Sequence, residues 1–474
     1  MFAARRKKRS STGSVPARRR RASARPRPAI SAAAVGALAI VVIFAGSRAQ
    51  AVPSFARQTG LECAACHVAF PELTQTGRLF KLKGYTMQGG DSPLPPLAVM
   101  TQPSFTHTDA DQPGGAAPHF GPNDNFAVSQ TSLFYAGAIS SDLGIGAFAQ
   151  ATYDASARRF GWDNVDLRFA RAGMIGDRNF VYGLTLNNNP TAQDVWNTIP
   201  AWRFPFASSN LAPTPAAAAV VDGGLGQQVA GLGGYLFWND LVYLEATGYR
   251  TLSTRTLTTL GVDSTGVNSI SGVAPYWRVA LQPSWGKHTL EVGTFGLAGN
   301  FFPARATGNG TDRIVDVGFD TQYQYNGDRD QISLQASWIH EDARPSASLA
   351  FGAVGNAHNR LDSHNVKASY FYDHTYGVNL AYFSTSGTTD PVLFAPDPIG
   401  GSANGSPNSS GWVAELDYVP FMHGGPSFWP WFNVRFALQY TAYTKFNGGT
   451  SNYDGFGRNA SDNNTLFLLA WTAF

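Results

Sequence analysis

Period-two alternation, more than any other property, limits what this 474-residue chain can fold into. In residues 164–171, Val165, Leu167 and Phe169 alternate with Asp166, Arg168 and Ala170. In residues 331–340, Ile332, Leu334, Ala336 and Trp338 oppose Ser333, Gln335 and Ser337. Successive side chains of a strand point to opposite faces, so such segments carry one apolar and one polar face. Segments of this kind fall at residues 98–107, 125–139, 143–153, 164–174, 179–187, 228–238, 241–250 and 271–285, and again at 289–301, 313–325, 331–340, 365–372, 376–384, 411–420, 431–444 and 464–474. They make about sixteen candidate strands. Short polar joints such as Ser140-Ser141-Asp142, Asn239-Asp240 and Asn326-Gly327-Asp328 alternate with long Gly/Pro/Asn/Ser-rich stretches at 188–226, 255–269, 343–362 and 385–410. Short turns at one end and long loops at the other are the pattern of a transmembrane β-barrel. A soluble propeller or sandwich does not require that asymmetry. Aromatic residues make up 13% of the chain, enough for two interfacial girdles. Parity places Asp166, Arg168, Glu291 and Asp316 inside such a barrel.

Both ends of the chain fit export to an outer membrane. Residues 1–51 hold twelve Lys or Arg and no acid, then the apolar run 32–45, then Ala49-Gln50-Ala51, which reads as a signal peptide with a small-x-small cleavage site. The run is shorter than the ~20 residues of a spanning helix. Twelve of the 35 Lys and Arg lie there, leaving 23 against 32 Asp and Glu, a net charge of −9. The basic character thus belongs to the leader, which argues against a nucleic-acid partner. The last strand ends in Trp471-Thr472-Ala473-Phe474, resembling the assembly signal of bacterial outer-membrane proteins. The expected location is the outer membrane of a Gram-negative bacterium, with its lipid as a partner.

Between leader and barrel, residues 52–96 hold the only two cysteines, in Cys63-Ala64-Ala65-Cys66-His67. C-x-x-C-H is the attachment site of one c-type haem: Cys63 and Cys66 bind the porphyrin and His67 ligates the iron. A zinc site would want a second Cys or His pair nearby, and a thioredoxin-like dithiol a βαβ context; neither is present. Pro71 suits a helix start, with Leu73, Leu79, Phe80 and Leu82 as its apolar positions and Gly77 against it. So short a segment can barely build a core, so the haem segment is expected, mostly helical or irregular, as a plug in the barrel lumen. For the second axial ligand, Met87 is placed first, just beyond the Gly84-Tyr85 turn. Met100 reads as a lumen residue of the first strand, His107 falls on its opposite face, and His119 comes last. Methionine would raise the potential relative to a second histidine.

The run Phe55-Ala56-Arg57-Gln58-Thr59-Gly60-Leu61-Glu62 into the haem motif, continued by Phe70-Pro71-Glu72-Leu73 and by Gly77-Arg78-Leu79-Phe80-Lys81-Leu82-Lys83-Gly84-Tyr85, resembles the start of fused monohaem cytochrome–porins. These include the outer-membrane iron-oxidising cytochromes. The match covers about thirty residues; beyond them the likeness is architectural. It implies an outer-membrane conduit that passes single electrons from an extracellular donor, ferrous iron foremost, to a periplasmic c-type cytochrome or other carrier, and so iron:cytochrome c oxidoreductase activity. It carries over Cys63, Cys66 and His67. The competing expectations are a solute porin whose haem-bearing plug acts as gate or sensor, and a haem enzyme of peroxidase type. The latter needs a distal acid/base that residues 52–96 do not display. The loop acids Asp390, Asp397 and Asp462 are available to iron, but isolated loop aspartates of this kind are usually only solvated.

Overall fold

The computed structural model describes residues 52–90, 94–264, 267–427 and 431–474. The expected signal peptide, residues 1–51, lies outside them. The strands are β1 Leu97–Thr108, β2 Asn125–Ser140, β3 Ile145–Asp154, β4 Arg159–Ile175, β5 Arg178–Asn187, β6 Val229–Trp238 and β7 Val242–Thr251. An interrupted β8 follows in three pieces, Ser269–Ile270, Ala274–Leu281 and Ser284–Trp285. Then come β9 His288–Phe302, β10 Asp312–Asn326, β11 Asp330–Arg344, β12 Asn359–Tyr372, β13 Tyr376–Gly387, β14 Ser409–Tyr418, β15 Asn433–Lys445 and β16 Thr465–Ala473. With β8 taken as one strand, these form a closed sixteen-stranded antiparallel barrel. The ring closes where β1 meets β16, with Met100 opposite Ala473 and Thr106 opposite Phe467. Val99 and Phe474 add two backbone hydrogen bonds at 2.7 and 2.9 Å.

The alternation read from the sequence is the in–out alternation of this wall. Leu184, Leu232, Val292, Leu334, Val378 and Leu416 stand exposed on the outside, while Gln102, Thr185, Glu291, Gln322, Lys367 and Arg435 are buried inside. Asp166, Arg168, Glu291 and Asp316 all face inward as expected. Aromatic pairs band the outside near both ends: Phe180–Trp238 and Tyr376–Tyr418 beside the short turns, Phe105–Phe126 and Tyr382–Trp412 toward the long loops. An apolar band between aromatic girdles on a closed antiparallel ring is the architecture of an outer-membrane barrel, because only a ring with no free edge satisfies every backbone group in lipid.

Two features depart from the sequence reading. Strands β11 and β12 run to Arg344 and from Asn359, through what reads as a loop. Above the apolar band their outer face carries His340, Asp342, Arg360 and Asp362, joined in pairs such as His340–Asp362 at 2.9 Å, so apolar alternation stops before the strand does. The connection between β14 and β15 is on the short-turn side yet long, and its Met422 carbonyl accepts from the Ala64 amide at 3.1 Å, beside the two cysteines.

Candidate functional site

The segment ahead of the barrel folds as three short helices, α1 Pro53–Thr59, α2 Cys63–Cys66 and α3 Gln75–Leu82. Pro53 opens α1 and Gly60 ends it in the left-handed region at φ 71°. His67 leaves α2 extended, and residues 67–73 double back so that the Val68 amide donates to the Glu72 carbonyl at 2.9 Å. The α3 helix starts at Gln75, not near Pro71, because Thr74 caps it: its hydroxyl accepts from the Gly77 amide and donates to the Ala65 carbonyl at 2.8 Å. Gly77, which reads as a weakness, is a packing requirement. A Cβ there would sit 2.2 Å from the Cys66 carbonyl oxygen. The cap and the glycine together press α3 onto the cysteine pair.

Polar contacts dock this segment inside the lumen. Lys367 of β12 meets Glu72 at 2.5 Å, and both side chains are almost fully buried. Arg78 donates to Gln322 at 2.7 Å and Gln324 at 2.9 Å on β10. Tyr85 donates to Asp166 at 2.6 Å, and Arg435 to the Phe70 carbonyl at 2.6 Å. At the short-turn end, His374 donates to the Val68 carbonyl at 2.7 Å. The loop 188–228 also folds inward: Asp194 pairs with Arg278 at 3.2 Å, and Trp196 donates to Gln282 at 2.7 Å. Lys81 joins the two fillings, donating to the Ala192 and Asp194 carbonyls and lying 4.7 Å from the Trp202 ring centre.

Plug, loop and wall line a cavity of about 380 Å³. Cys63, Cys66 and His67 all line it. So do Phe55 and Phe80 of the plug, Trp202 and Phe206 of the inward loop, and Phe134, Phe148 and Trp471 of the wall. Toward the long loops the lining turns polar, with Gln130, Gln150 and Asp163. Asp163 accepts from the neutral donors Thr152, at 3.0 Å, and Gln227, at 3.1 Å.

The donor set fits a covalently held haem. Both cysteines are free, and Asn433 donates to the Cys63 sulfur at 3.2 Å. Burial pushes the Cys63 thiol up, against the pull of Asn433, and raises Cys66 to about 11. Neither is thus a thiolate at neutral pH, which tells against a redox dithiol, whose attacking sulfur needs a depressed value. Burial lowers His67 to about 4, which keeps its imidazole in the neutral, ligating form, and its Nδ1 is sealed with no hydrogen-bond partner. Among the described residues no three His, Cys, Asp or Glu side chains converge to hold a bare metal ion, as a zinc site would need.

The candidates for the second axial position separate. Met87, placed first on sequence, is absent from the lining; its carbonyl accepts from Gln58 at 2.9 Å on the side of α1. Its nearness in sequence does not carry over, because the chain after Gly84 runs back along α1 instead of over the motif. Met100 lines the cavity and is buried. His107 is on the other face of β1, paired with Asp124 at 2.7 Å by the long loops, and His119 lies in the loop 109–124. Of the loop acids, Asp390 is buried and organises its own loop, accepting from the amides of Gly355, Val392 and Leu393. Asp462 closes a capping box with Asn459. Sequence reasoning missed Asn433 and the inward loop with Trp202. Asn433 opens a strand after a connection without alternation, and no signal short of the fold reveals that it meets Cys63.

No protein-family model and no curated protein matches this sequence. Solved structures similar in fold are outer-membrane barrels. The outer membrane channel DcaP of Acinetobacter baumannii covers 80% of this chain and 96% of its own at 12% identity, with a TM-score of 0.42. Outer-membrane expressed OmpT of Vibrio cholerae covers 80% and 97% at 9% identity, TM-score 0.40. An anion-selective porin from Comamonas acidovorans covers 80% and 98% at 12% identity, TM-score 0.38. Likenesses this distant carry no argument about function. The barrel itself defines the class: a porin-like outer-membrane protein, here with a lumen filled by an N-terminal plug and an inward loop.

Proposed function

We propose that this protein is an electron conduit of the outer membrane, passing single electrons from an extracellular donor, ferrous iron foremost, through one covalently bound haem c to a periplasmic c-type cytochrome or similar carrier. The observation that carries the reading is that Cys63, Cys66 and His67 line one aromatic-walled cavity inside the barrel. A haem bound there supplies one-electron transfer, its potential tuned by axial ligation, burial and nearby charge. The chain's residues do the rest. Cys63 and Cys66 fix the group, and His67 orients it. The aromatic walls give it an apolar setting, and the inward loop narrows its approach. Contacts of Val68 with His374 and of Ala64 with Met422 support a chamber near the short-turn mouth, which faces the periplasm in barrels of this type.

The test is anaerobic mixing of the purified, haem-loaded chain with ferrous iron, followed by stopped-flow absorbance. Rapid growth of the reduced haem bands, lost in His67→Ala, is the expected result. A haem that stays oxidised at a measured potential permitting reduction would remove iron as the donor.

The barrel architecture favours a second reading, a solute porin in which the haem-bearing plug is a gate or sensor. It predicts solute conductance in planar bilayers that the full plug already permits and that loss of haem leaves unchanged.

A further inference from the structure

We propose that Met100 is the second axial ligand of the haem, opposite His67; this rests on the haem reading above. The argument begins with register. Asn433, whose amide meets the Cys63 sulfur, lies opposite Ala473 on β16, and Ala473 lies opposite Met100 on β1. The three residues form one row across adjacent strands. At ~4.8 Å per strand, Met100 starts roughly 10 Å from the residue that touches the first tether. Met100 and Ala473 both line the cavity, on the lumen side of the wall.

Elimination gives the same answer. Of the lining side chains able to ligate iron, Cys63 and Cys66 are the tethers and His67 the proximal ligand. Lys81 holds two backbone carbonyls, and the Tyr85 hydroxyl is committed to Asp166. The lining carboxylates are engaged elsewhere: Glu62 with His423, Asp163 with Thr152 and Gln227, and Asp194 with Arg278. Met100 remains. Its thioether has one polar neighbour, the Gln102 amide at 3.8 Å, two residues along the same face. That contact is weak enough to yield and well placed to orient the sulfur. Ala98, Phe134 and Ala136 pack around Met100, holding the side chain on a rigid wall strand. Thioether ligation sets a higher potential than a second imidazole, which suits a haem that takes electrons from a mild reductant.

The experiment uses the full haem-loaded chain in detergent, with absorbance, electron paramagnetic resonance and redox titration of the wild type, Met100→Ala, Met100→Leu, Met100→His and Met87→Ala. The wild type is expected to be six-coordinate and low-spin, with a sulfur-to-iron charge-transfer band in the oxidised state. Met100→Ala and the volume-conserving Met100→Leu lose that band, turn high-spin and bind added imidazole. Met100→His stays low-spin with its midpoint shifted down, and Met87→Ala matches the wild type. Low-spin spectra unchanged in both Met100→Ala and Met100→Leu overturn the assignment, as does a high-spin wild type. Absence of covalently bound haem in the wild-type chain, read from its alkaline pyridine spectrum, overturns the haem reading instead.

Discussion

The barrel wall and the plug are stabilised in opposite ways. The wall is a closed ladder with apolar residues outward, so each strand is held by both neighbours, and single side chains matter little to its existence. The plug has three short helices, almost no ladder of its own, and a handful of buried polar anchors: Glu72 on Lys367, Arg78 on Gln322 and Gln324, Tyr85 on Asp166, and the Phe70 carbonyl on Arg435. These anchors, together with the apolar packing of Val68, Ala69 and Phe70 on Phe371, Val419 and Met422, hold the plug, while the wall persists without them.

The sharpest way to break that contrast is Lys367→Ala. It leaves Glu72 buried without its cation, and uncompensated charges of this kind cost about 3–5 kcal/mol. The expected outcome is protease cleavage within 52–90 in detergent, while the barrel keeps the heat-modifiable electrophoretic mobility of a folded wall. Loss of both together would mean that wall and plug form one cooperative unit.

Acid should release the plug through the same pair. Burial pushes the Glu72 carboxyl up, but the Lys367 ammonium and its hydrogen bonds outweigh this and hold it below the usual range. A carboxyl depressed on folding adds stability above its unfolded value, about 4.3, and that stability is lost as pH falls from there through the folded value. Protease sensitivity of 52–90 should thus rise below about pH 4.3, and this acid step should be missing in Glu72→Gln. A step of equal size in Glu72→Gln would assign it to another group. The smallest effect is expected from Tyr85→Phe. Asp166 keeps its 2.7 Å pair with Arg168, so losing the tyrosine hydroxyl costs only about 1 kcal/mol. The check is a slight rise in cleavage rate at neutral pH.

The same contrast decides what could be read in advance. The wall was legible because lipid outside and polar filling inside impose strict alternation; sixteen strands and the inward parity of Asp166, Arg168, Glu291 and Asp316 all follow from it. Strand ends above the lipid were not legible, since both faces there are polar, as at His340 and Asp362. Within the plug, local spacing singled out Cys63, Cys66 and His67, which the fold brings to one cavity. It did not single out the plug's tertiary partners, because Asn433, Lys367 and Trp202 come from elements whose periodicity says only which face they occupy, or nothing at all. Met87 lies off the cavity lining for the same reason. Closeness along the chain stood in for closeness in space, whereas parity on β1 already placed Met100 inward.

The row Asn433, Ala473, Met100 bears on ancestry and engineering. The chamber has no owner: Cys63, Cys66 and His67 belong to the segment before the barrel, while Met100, Asn433 and Trp471 come from the first and the last two strands. A cassette cut at the start of the first strand would carry away the Cys-x-x-Cys-His motif and leave most of its surroundings behind. Neither half is portable, so drift in one half constrains drift in the other, and a graft onto a foreign barrel would need those wall positions transplanted with it.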